Sequence, residues 1–424
     1  MNIFFDFLLI IFSTIILYIS YKRVVFNKYS SIANLIIIII YLFNVLPIIF
    51  NYLIGIPDYK TVYWYKPFIE PMNNELIGVI YDIYILLSLI ILNIYAKKHN
   101  NIDNNTSKSY QVIFNNNIFC FFAILSPLIM IILTGTLSNF LVYSTNSARG
   151  LSETAASSMV TPFLFLSIFT FFSKFYNDKK ITGKKIFFSF IYFFIVTWIS
   201  GKRFIIATLT ILLIFYITKN NINNTTRKKI FKYLPIVFIL ILIFSGFYLI
   251  AVKPLSDTSF SSVYDMLRVD FGRDDVVKYV ISEEFFKHKM ILDYRLQSII
   301  SLLLFFIPRS IWPTKPYPHY MYLTGHLLNL NILKLPAGTT PSWYEMCLCN
   351  FGAFGFIFAI LCLPLLCKLF DNFKSLDGKA IGLILIIVLL TQSMDIYIIY
   401  ILLIIIILII NKFFKGKKIK FTFK

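Results

Sequence analysis

Charge is what this chain has least of: 14% of its 424 residues are Asp, Glu, Lys or Arg, whereas 58% are hydrophobic and the mean hydropathy is +0.77. A soluble domain carries about 25% charged residues, so the shortage excludes one. Cysteine is scarce too. Of five, Cys120, Cys362 and Cys367 fall in apolar runs where small buried thiols are ordinary, and Cys347 and Cys349 stand two apart, which is neither a zinc spacing nor a redox CxxC. No disulfide, metal or cofactor is expected. The chain has no HExxH, no Gly-rich phosphate loop and no repeat of fixed period, which removes zinc proteases, P-loop enzymes and solenoids. Acids are outnumbered, 20 against 40 basic residues, for a net charge of +20. On a soluble chain that excess points to nucleic acid. Here most Lys residues stand in short clusters directly after apolar runs, as the positive-inside rule requires, and no nucleic-acid partner is expected.

What the chain has is one apolar run after another. The runs predict an all-α, polytopic membrane protein in one membrane domain over 1–424, with eleven helices at about 3–21, 31–52, 76–95, 113–134, 159–176, 186–200, 203–218, 233–252, 348–369, 380–394 and 396–411. The first run is too long for a signal-peptide core and is followed by Lys22 and Arg23, so it reads as a retained helix. Basic clusters in 22–30, 96–110, 177–185, 219–232, 370–379 and the tail from Lys412 assign these connections to the cytoplasm, with the amino terminus outside and the carboxyl terminus inside. Outer connections at 53–75, 135–158 and 201–202 carry few Lys or Arg. The same parity leaves Lys253 to Glu345, 93 residues, as one large external (periplasmic) loop. Loops of that length usually carry function. Within it "VYDMLRVDFGRDDVVKYVISEEF" has the spacing of an amphipathic helix. "SIISLLLFFIP" is too short to span and reads as a re-entrant or interfacial helix, and "IPRSIWPTKPYPHY" reads as an irregular segment at the membrane surface.

The two cations divide across the membrane. Of eight Arg residues only Arg23 and Arg227 fall on the predicted inner side, while Arg149, Arg203, Arg268, Arg273, Arg295 and Arg309 fall outside, against the trend of Lys. The composition is that of an AT-rich genome, which replaces Arg by Lys wherever chemistry permits, so retained outer Arg points to a need for its planar, bidentate, always-charged fork. The plain alternative is surface pairing with the loop's nine acids, and for Arg268, Arg273 and Arg295 the two readings stand level. Around Arg149 and Arg203 acids are almost absent, Glu153 excepted. A lipid-linked diphosphate at the outer leaflet would use such a set: a glycan leaves its diphosphate carrier at the anomeric carbon, and the leaving group must be held as its charge develops. The acceptor hydroxyl needs a base, for which Glu345, His319, His326 and Glu153 are the outer candidates. A lone outer Glu is more often solvated or paired.

With "ARG" (148–150) in one outer loop, "SGKR" (200–203) at a tight outer turn, the long loop ending in "IPRSIWPTKPYPHY", and "GTTPSWYEMCLCNFGAFGFIFAIL" after it, the chain resembles the Wzy-type O-antigen or capsular repeat-unit polymerases from about Arg149 to Leu361. The resemblance implies a metal-independent glycosyltransferase. It would join undecaprenyl-diphosphate-linked oligosaccharides at the outer face of the inner membrane, in lipopolysaccharide or capsule synthesis, with a chain-length regulator as a possible partner. By location Arg149, Lys202, Arg203, Arg273 and Arg309 match the cationic residues that would bind the diphosphate. The rival of the same layout is an O-antigen ligase, which would lean on a His of the large loop, here His319 or His326. A polysaccharide flippase, from another class, has a dozen or more helices in two similar halves, and no internal duplication is present here.

Length sharpens the "SGKR" turn. Two spans of a 30 Å core need about twenty residues each, yet Ile186 to Ile217 offers thirty-two for both. The turn at Ser200 and Gly201 is therefore expected below the outer surface, with Lys202 and Arg203 facing a water-filled, protein-lined cavity. In 380–411 "TQSMD" sinks Gln392 and Asp395 to a similar depth. Asp395 is a candidate counter-ion to Lys202 or Arg203, or a ligand of the acceptor sugar. A snorkelling turn is the plain alternative.

Overall fold

The structure, a computed structural model, describes residues 3–26, 31–60, 62–99, 117–140, 160–176, 183–200, 204–219, 259–335, 338–373 and 376–392. Among them every regular element is helical. The first five are α1 (Ile3–Phe26), α2 (Ala33–Leu53), α3 (Ile69–Asn73), α4 (Glu75–Lys98) and α5 (Asn117–Leu133). Then come α6 (Thr161–Tyr176), α7 (Gly183–Ser200), α8 (Phe204–Lys219), α9 (Phe260–Phe271) and α10 (Asp274–Ile281). The last are α11 (Gln297–Leu303), α12 (His319–Leu328), α13 (Trp343–Phe351), α14 (Phe354–Asp371) and α15 (Leu376–Thr391). Nine of the eleven runs predicted as helices fall on these elements, while 233–252 and 396–411 lie outside the described residues. Four helices, α1, α2, α4 and α14, are long and apolar enough to cross a membrane.

The chain forms two compact units. One takes Met1–Ile102, Pro254–Asp371 and Leu385–Ile398; the other takes Asp103–Lys253, Asn372–Ile384 and Ile399–Lys424, so α15 is divided between them. In the second unit α5 and α6 lie together through hydroxyls that reach across to backbone: Ser126 Oγ donates to Phe163 O at 3.2 Å and Ser167 Oγ to Ile124 O at 2.7 Å. The Phe171 ring stacks on Tyr192 at 3.9 Å, and Phe172 on Tyr216 at 5.5 Å. Such rings supply large apolar burial in a fixed geometry. Asp377 is held there by Tyr216 (2.7 Å) and Ser173 (2.9 Å).

In the first unit α2 runs antiparallel to α1, α4 and α14, and polar clasps mark both ends of the group. At one end Asp371 accepts from the Ser31 hydroxyl, the Ile32 N–H (3.0 Å) and the Tyr95 hydroxyl (3.1 Å), and Arg23 donates to Asn93 Oδ1 at 2.7 Å. At the other, the Tyr52 hydroxyl donates to Asp6 Oδ2 at 2.5 Å, and Asn74 Oδ1 caps α4 by accepting from Leu76 and Ile77. Pro47 shapes the middle of α2. Its ring carries no N–H, so the carbonyl four residues back has no helical partner, and the helix relaxes into a π turn over Tyr41–Val45. That carbonyl, Phe43 O, accepts instead from the Arg273 N–H at 3.0 Å, and the freed Asn44 O takes the Tyr81 hydroxyl at 2.8 Å.

The long loop differs from the sequence reading in three places. The amphipathic stretch is two helices, α9 and α10, and the charged side expected to face water is buried: Arg268 is 2% exposed, Asp274 0% and Lys278 5%. Gly272 is the reason for the break. Its backbone is extended, and a Cβ there would come within 2.8 Å of Arg268 Nη1, so only glycine lets the guanidinium fold back onto Asp274 in a fork of two 2.9 Å bonds. The short apolar run is helical only over α11, because Lys315 Nζ takes the carbonyls of Phe305 (2.7 Å) and Ile307 (2.9 Å) that a continuing helix would use. Leu303, Phe306 and Ile311 remain exposed, as an interfacial segment requires. The last span begins at Phe354 rather than near 348: Gly352 turns the chain at φ +60, and a Cβ on Gly355 would lie 2.3 Å from Cys347 O, so α13 and α14 meet backbone to backbone.

Breaking a buried ion pair leaves one charge uncompensated, which costs about 3–5 kcal/mol. Arg268→Met and Asp274→Asn should each lower stability by that order in denaturant unfolding of the detergent-solubilised protein. The double change of Arg268→Met with Asp274→Leu should recover most of the loss.

Candidate functional site

Two of the three candidate catalytic residues come together. Glu345 stands three residues into α13 and accepts the Ser342 N–H at 3.0 Å, the usual role of a carboxylate in the first turn of a helix. Its other oxygen receives His319 Nε2 at 3.0 Å and the Cys349 thiol at 3.8 Å, and His319 Nδ1 meets Ser298 Oγ at 2.7 Å. With Nε2–H donated to the carboxylate, Nδ1 accepts from the serine hydroxyl, which makes a serine–histidine–carboxylate relay. Chemically such a relay activates a hydroxyl. Here it is sealed: Ser298 is 5% exposed, His319 1% and Glu345 0%. Its work is to fix α11, α12 and α13 to one another. The donor atoms of His319, Glu345 and Cys349 lie within 4.8 Å of one another, a set zinc accepts. Each is already engaged by a hydrogen bond within the cluster, so protons suffice to hold it.

His326 is on the same helix but two turns away, about 10 Å along the axis, and belongs to a separate group. Its Nδ1 meets the Tyr279 hydroxyl at 2.8 Å and its Nε2 lies 3.9 Å from Glu283, which also pairs with Lys287. Burial pushes the imidazole below its ordinary pKa, although Glu283 opposes this.

Arg273 and Arg309 are both engaged in holding backbone. Arg273, 3% exposed, donates to Gly272 O (2.7 Å) and Thr391 O (3.2 Å) over the Phe43 ring. Arg309 is exposed; it donates to Lys315 O (2.6 Å) and Pro316 O (3.1 Å) and stacks on Tyr317 at 3.8 Å, so it pins the Pro-rich segment while leaving one face of the guanidinium to solvent. Arg295 pairs with Glu284 at 2.6 Å and donates to Cys349 O at 2.8 Å, capping α13. Pairing within the loop therefore accounts for Arg268 and Arg295. Arg149, Glu153, Lys202, Arg203 and Asp395 lie outside the described residues.

The open site is elsewhere, and the sequence reading passed over it. A cavity of about 210 Å³ lies where α1 and α4 begin and α2 ends, with α10 of the long loop contributing Lys278 to its wall. Asp6, Asn51, Tyr52, Asn74, Glu75 and Asp82 supply its polar lining. Asp82 is 2% exposed and neither oxygen receives a hydrogen bond; the group within reach is another carboxyl, Asp6. Asn51 Oδ1 also lacks a donor. Lys278 has the Tyr81 ring beneath its ammonium at 5.1 Å and, among the described residues, no carboxylate in ion-pair range. The available signal was the position of Asp6 and Asp82 inside predicted spans, where an acid marks function by default.

Beside Lys278, the Arg268–Asp274 pair sets the charge of the loop. Burial alone would raise the Asp274 carboxyl, but Arg268 overrides it and holds the group below the ordinary range. Asp275, buried next to it, is pushed up to about 6, first by burial and then by the charge of Asp274, while the Tyr59 hydroxyl donates to it at 2.9 Å. A carboxyl whose folded pKa is raised binds its proton more tightly in the folded state, so it stabilises below the unfolded pKa and that contribution is lost as pH rises through the folded value. Between about pH 4 and 6 the protein should lose stability on the order of 2–3 kcal/mol from this group. Unfolding of wild type and Asp275→Asn across that window checks it: the variant should lack this part of the slope.

No protein-family model matches the chain, and no curated protein or solved structure matches it significantly.

Proposed function

We propose that the protein is a membrane glycosyltransferase of the Wzy type, joining undecaprenyl-diphosphate-linked oligosaccharide units at the outer face of the bacterial inner membrane in O-antigen or capsule synthesis. The observation that carries the reading is the polar cavity at the mouth of three apolar helices, walled on one side by the long loop. A site that acts on lipid-borne glycans needs that placement, level with the headgroups and not inside the hydrocarbon. The distribution of charge supports the outer side. Lys22 and Arg23 of α1, Lys97 and Lys98 of α4 and Lys368 of α14 gather at the end of the group opposite the cavity, as cytoplasmic ends do.

In the reaction the acceptor hydroxyl attacks the anomeric carbon of the donor and gives its proton to a base, for which His326 and Glu153 are the candidates outside the sealed relay, while the bond from that carbon to the diphosphate oxygen breaks and the diphosphate leaves with the electron pair. Arg149, Lys202, Arg203 and Arg309 are the cations proposed to hold it; Arg273 is engaged in holding backbone. Arg holds such an oxyanion bidentately without a metal. The ligase reading asks for a reactive His in the loop. His319 is bonded through both ring nitrogens and sealed, which leaves His326 as the candidate for that role.

Arg203→Lys and Arg149→Lys keep the charge but lose the fork, so each should cut polymer at least tenfold while the protein still inserts. Glycan ladders from a complemented deletion strain read the effect, and ladders of normal length from both variants would remove phosphate recognition by these residues.

A further inference from the structure

The cavity beside Asp82 has more structure than a gap between helices requires. Lys278 is 95% removed from solvent, pairs with no carboxylate among the described residues, and lines the cavity. On the facing wall, among the described residues, Asn51 Oδ1 lacks a donor and the Asp82 carboxyl has only the Asp6 carboxyl within reach, while Asp6 accepts from the Tyr52 hydroxyl. An unpaired buried polar group costs about 1–3 kcal/mol, more when charged. A chain that elsewhere satisfies Asp274, Asp371 and Asp377 with two or more hydrogen bonds each leaves these groups without such donors among the described residues, around one space.

Ligand chemistry follows from what is open: acceptors on one wall, a single ammonium on the other, and an apolar patch of Ile48, Ile56 and Met72 between. Vicinal hydroxyls both donate and accept, and the C–H face of a sugar ring is apolar. Size limits the ligand, because 210 Å³ is below the roughly 300 Å³ at which sites for drug-sized molecules begin. Charge limits it further. Three carboxyl groups, Asp6, Glu75 and Asp82, face the single ammonium of Lys278, and even with one proton shared between Asp6 and Asp82 negative charge is in excess, so a diphosphate or an acidic sugar is disfavoured.

We infer that this cavity binds one neutral or amino-bearing sugar ring, with Lys278 donating to it and Asp82 and Asn51 accepting from it. Resting on the glycan-transfer reading, the ring is the terminal sugar of the acceptor, and the diphosphate of the donor lies outside the cavity. Among the described residues Lys278 has no ion-pair partner and Asp82 no donor other than the Asp6 carboxyl, so removing them relieves a cost: Lys278→Met and Asp82→Asn should unfold at the same temperature as wild type or higher. A merely structural role for either residue would lower it.

The test is saturation-transfer NMR on the full chain in detergent, with glucose, glucosamine, N-acetylglucosamine and glucuronate as probes. Wild type should give signals with one or more of the first three, at least tenfold weaker with glucuronate, and both variants should lose signal at least tenfold. Equal signals in wild type and variants overturn the inference. So does unfolding of both variants at lower temperature, or an Asp82-dependent stabilisation by sodium with no sugar signal, which would make the cavity a cation site. Polymer ladders separate this inference from the reading beneath it: a normal wild-type ladder unchanged by Lys278→Met sinks the cavity alone, whereas sugar binding without any wild-type ladder sinks polymerisation alone.

Discussion

A buried charge must meet its opposite, and the long loop is organised around one instance. Arg268 and Asp274 form a bidentate pair, both essentially without solvent contact. Holding it requires the glycine break at 272, and the break sets the start of α10. From there Arg273 reaches the carbonyl that Pro47 has left open in α2, and Lys278 reaches the cavity. One ion pair thus links the long loop to the apolar helices. The loop is a built part of the first unit rather than a tether.

That constraint also makes the exceptions readable. Asp371 and Asp377 are acids in apolar helices, and each is matched by hydroxyl or N–H donors. Among the described residues Asp82 in α4 has only another carboxyl, Asp6, within reach, and Lys278 beside it has no ion-pair partner. In a medium that penalises unsatisfied polarity, such a group persists where something else gains from it. The sealed Ser298–His319–Glu345 relay is the opposite case: chemically suggestive and fully satisfied, it behaves as a fastener.

Much of the helical layout was legible because apolar runs and basic clusters are local signals. The extents of α1, α4 and α7 follow from them within a few residues. The break at Gly272 and the turn at Gly352 were not, since both answer to tertiary contacts: a guanidinium folding back, and two helix backbones touching at Gly355. Candidate residues fared according to the same division. Residue type identified Glu345 and His319 as separate candidate bases and gave no sign that they meet; that contact, and the burial that decides whether they can touch a substrate, depend on how α11 to α13 fold over them. The cavity was missed because its residues come from five separate helices and form no motif. What composition did offer was two acids within apolar runs, and that signal weighs more than any loop histidine.

On the proposed function, the cavity would receive a sugar and the cations predicted on the outer side would retain a diphosphate. The most direct measurement is reconstitution of the purified protein in liposomes with an undecaprenyl-diphosphate-linked repeat unit and no lipid A core. Polymer longer than one unit, formed without added metal, is the predicted result. Absence of polymer in that system, with transfer appearing only when lipid A core is supplied, would contradict polymerisation and make the protein a ligase.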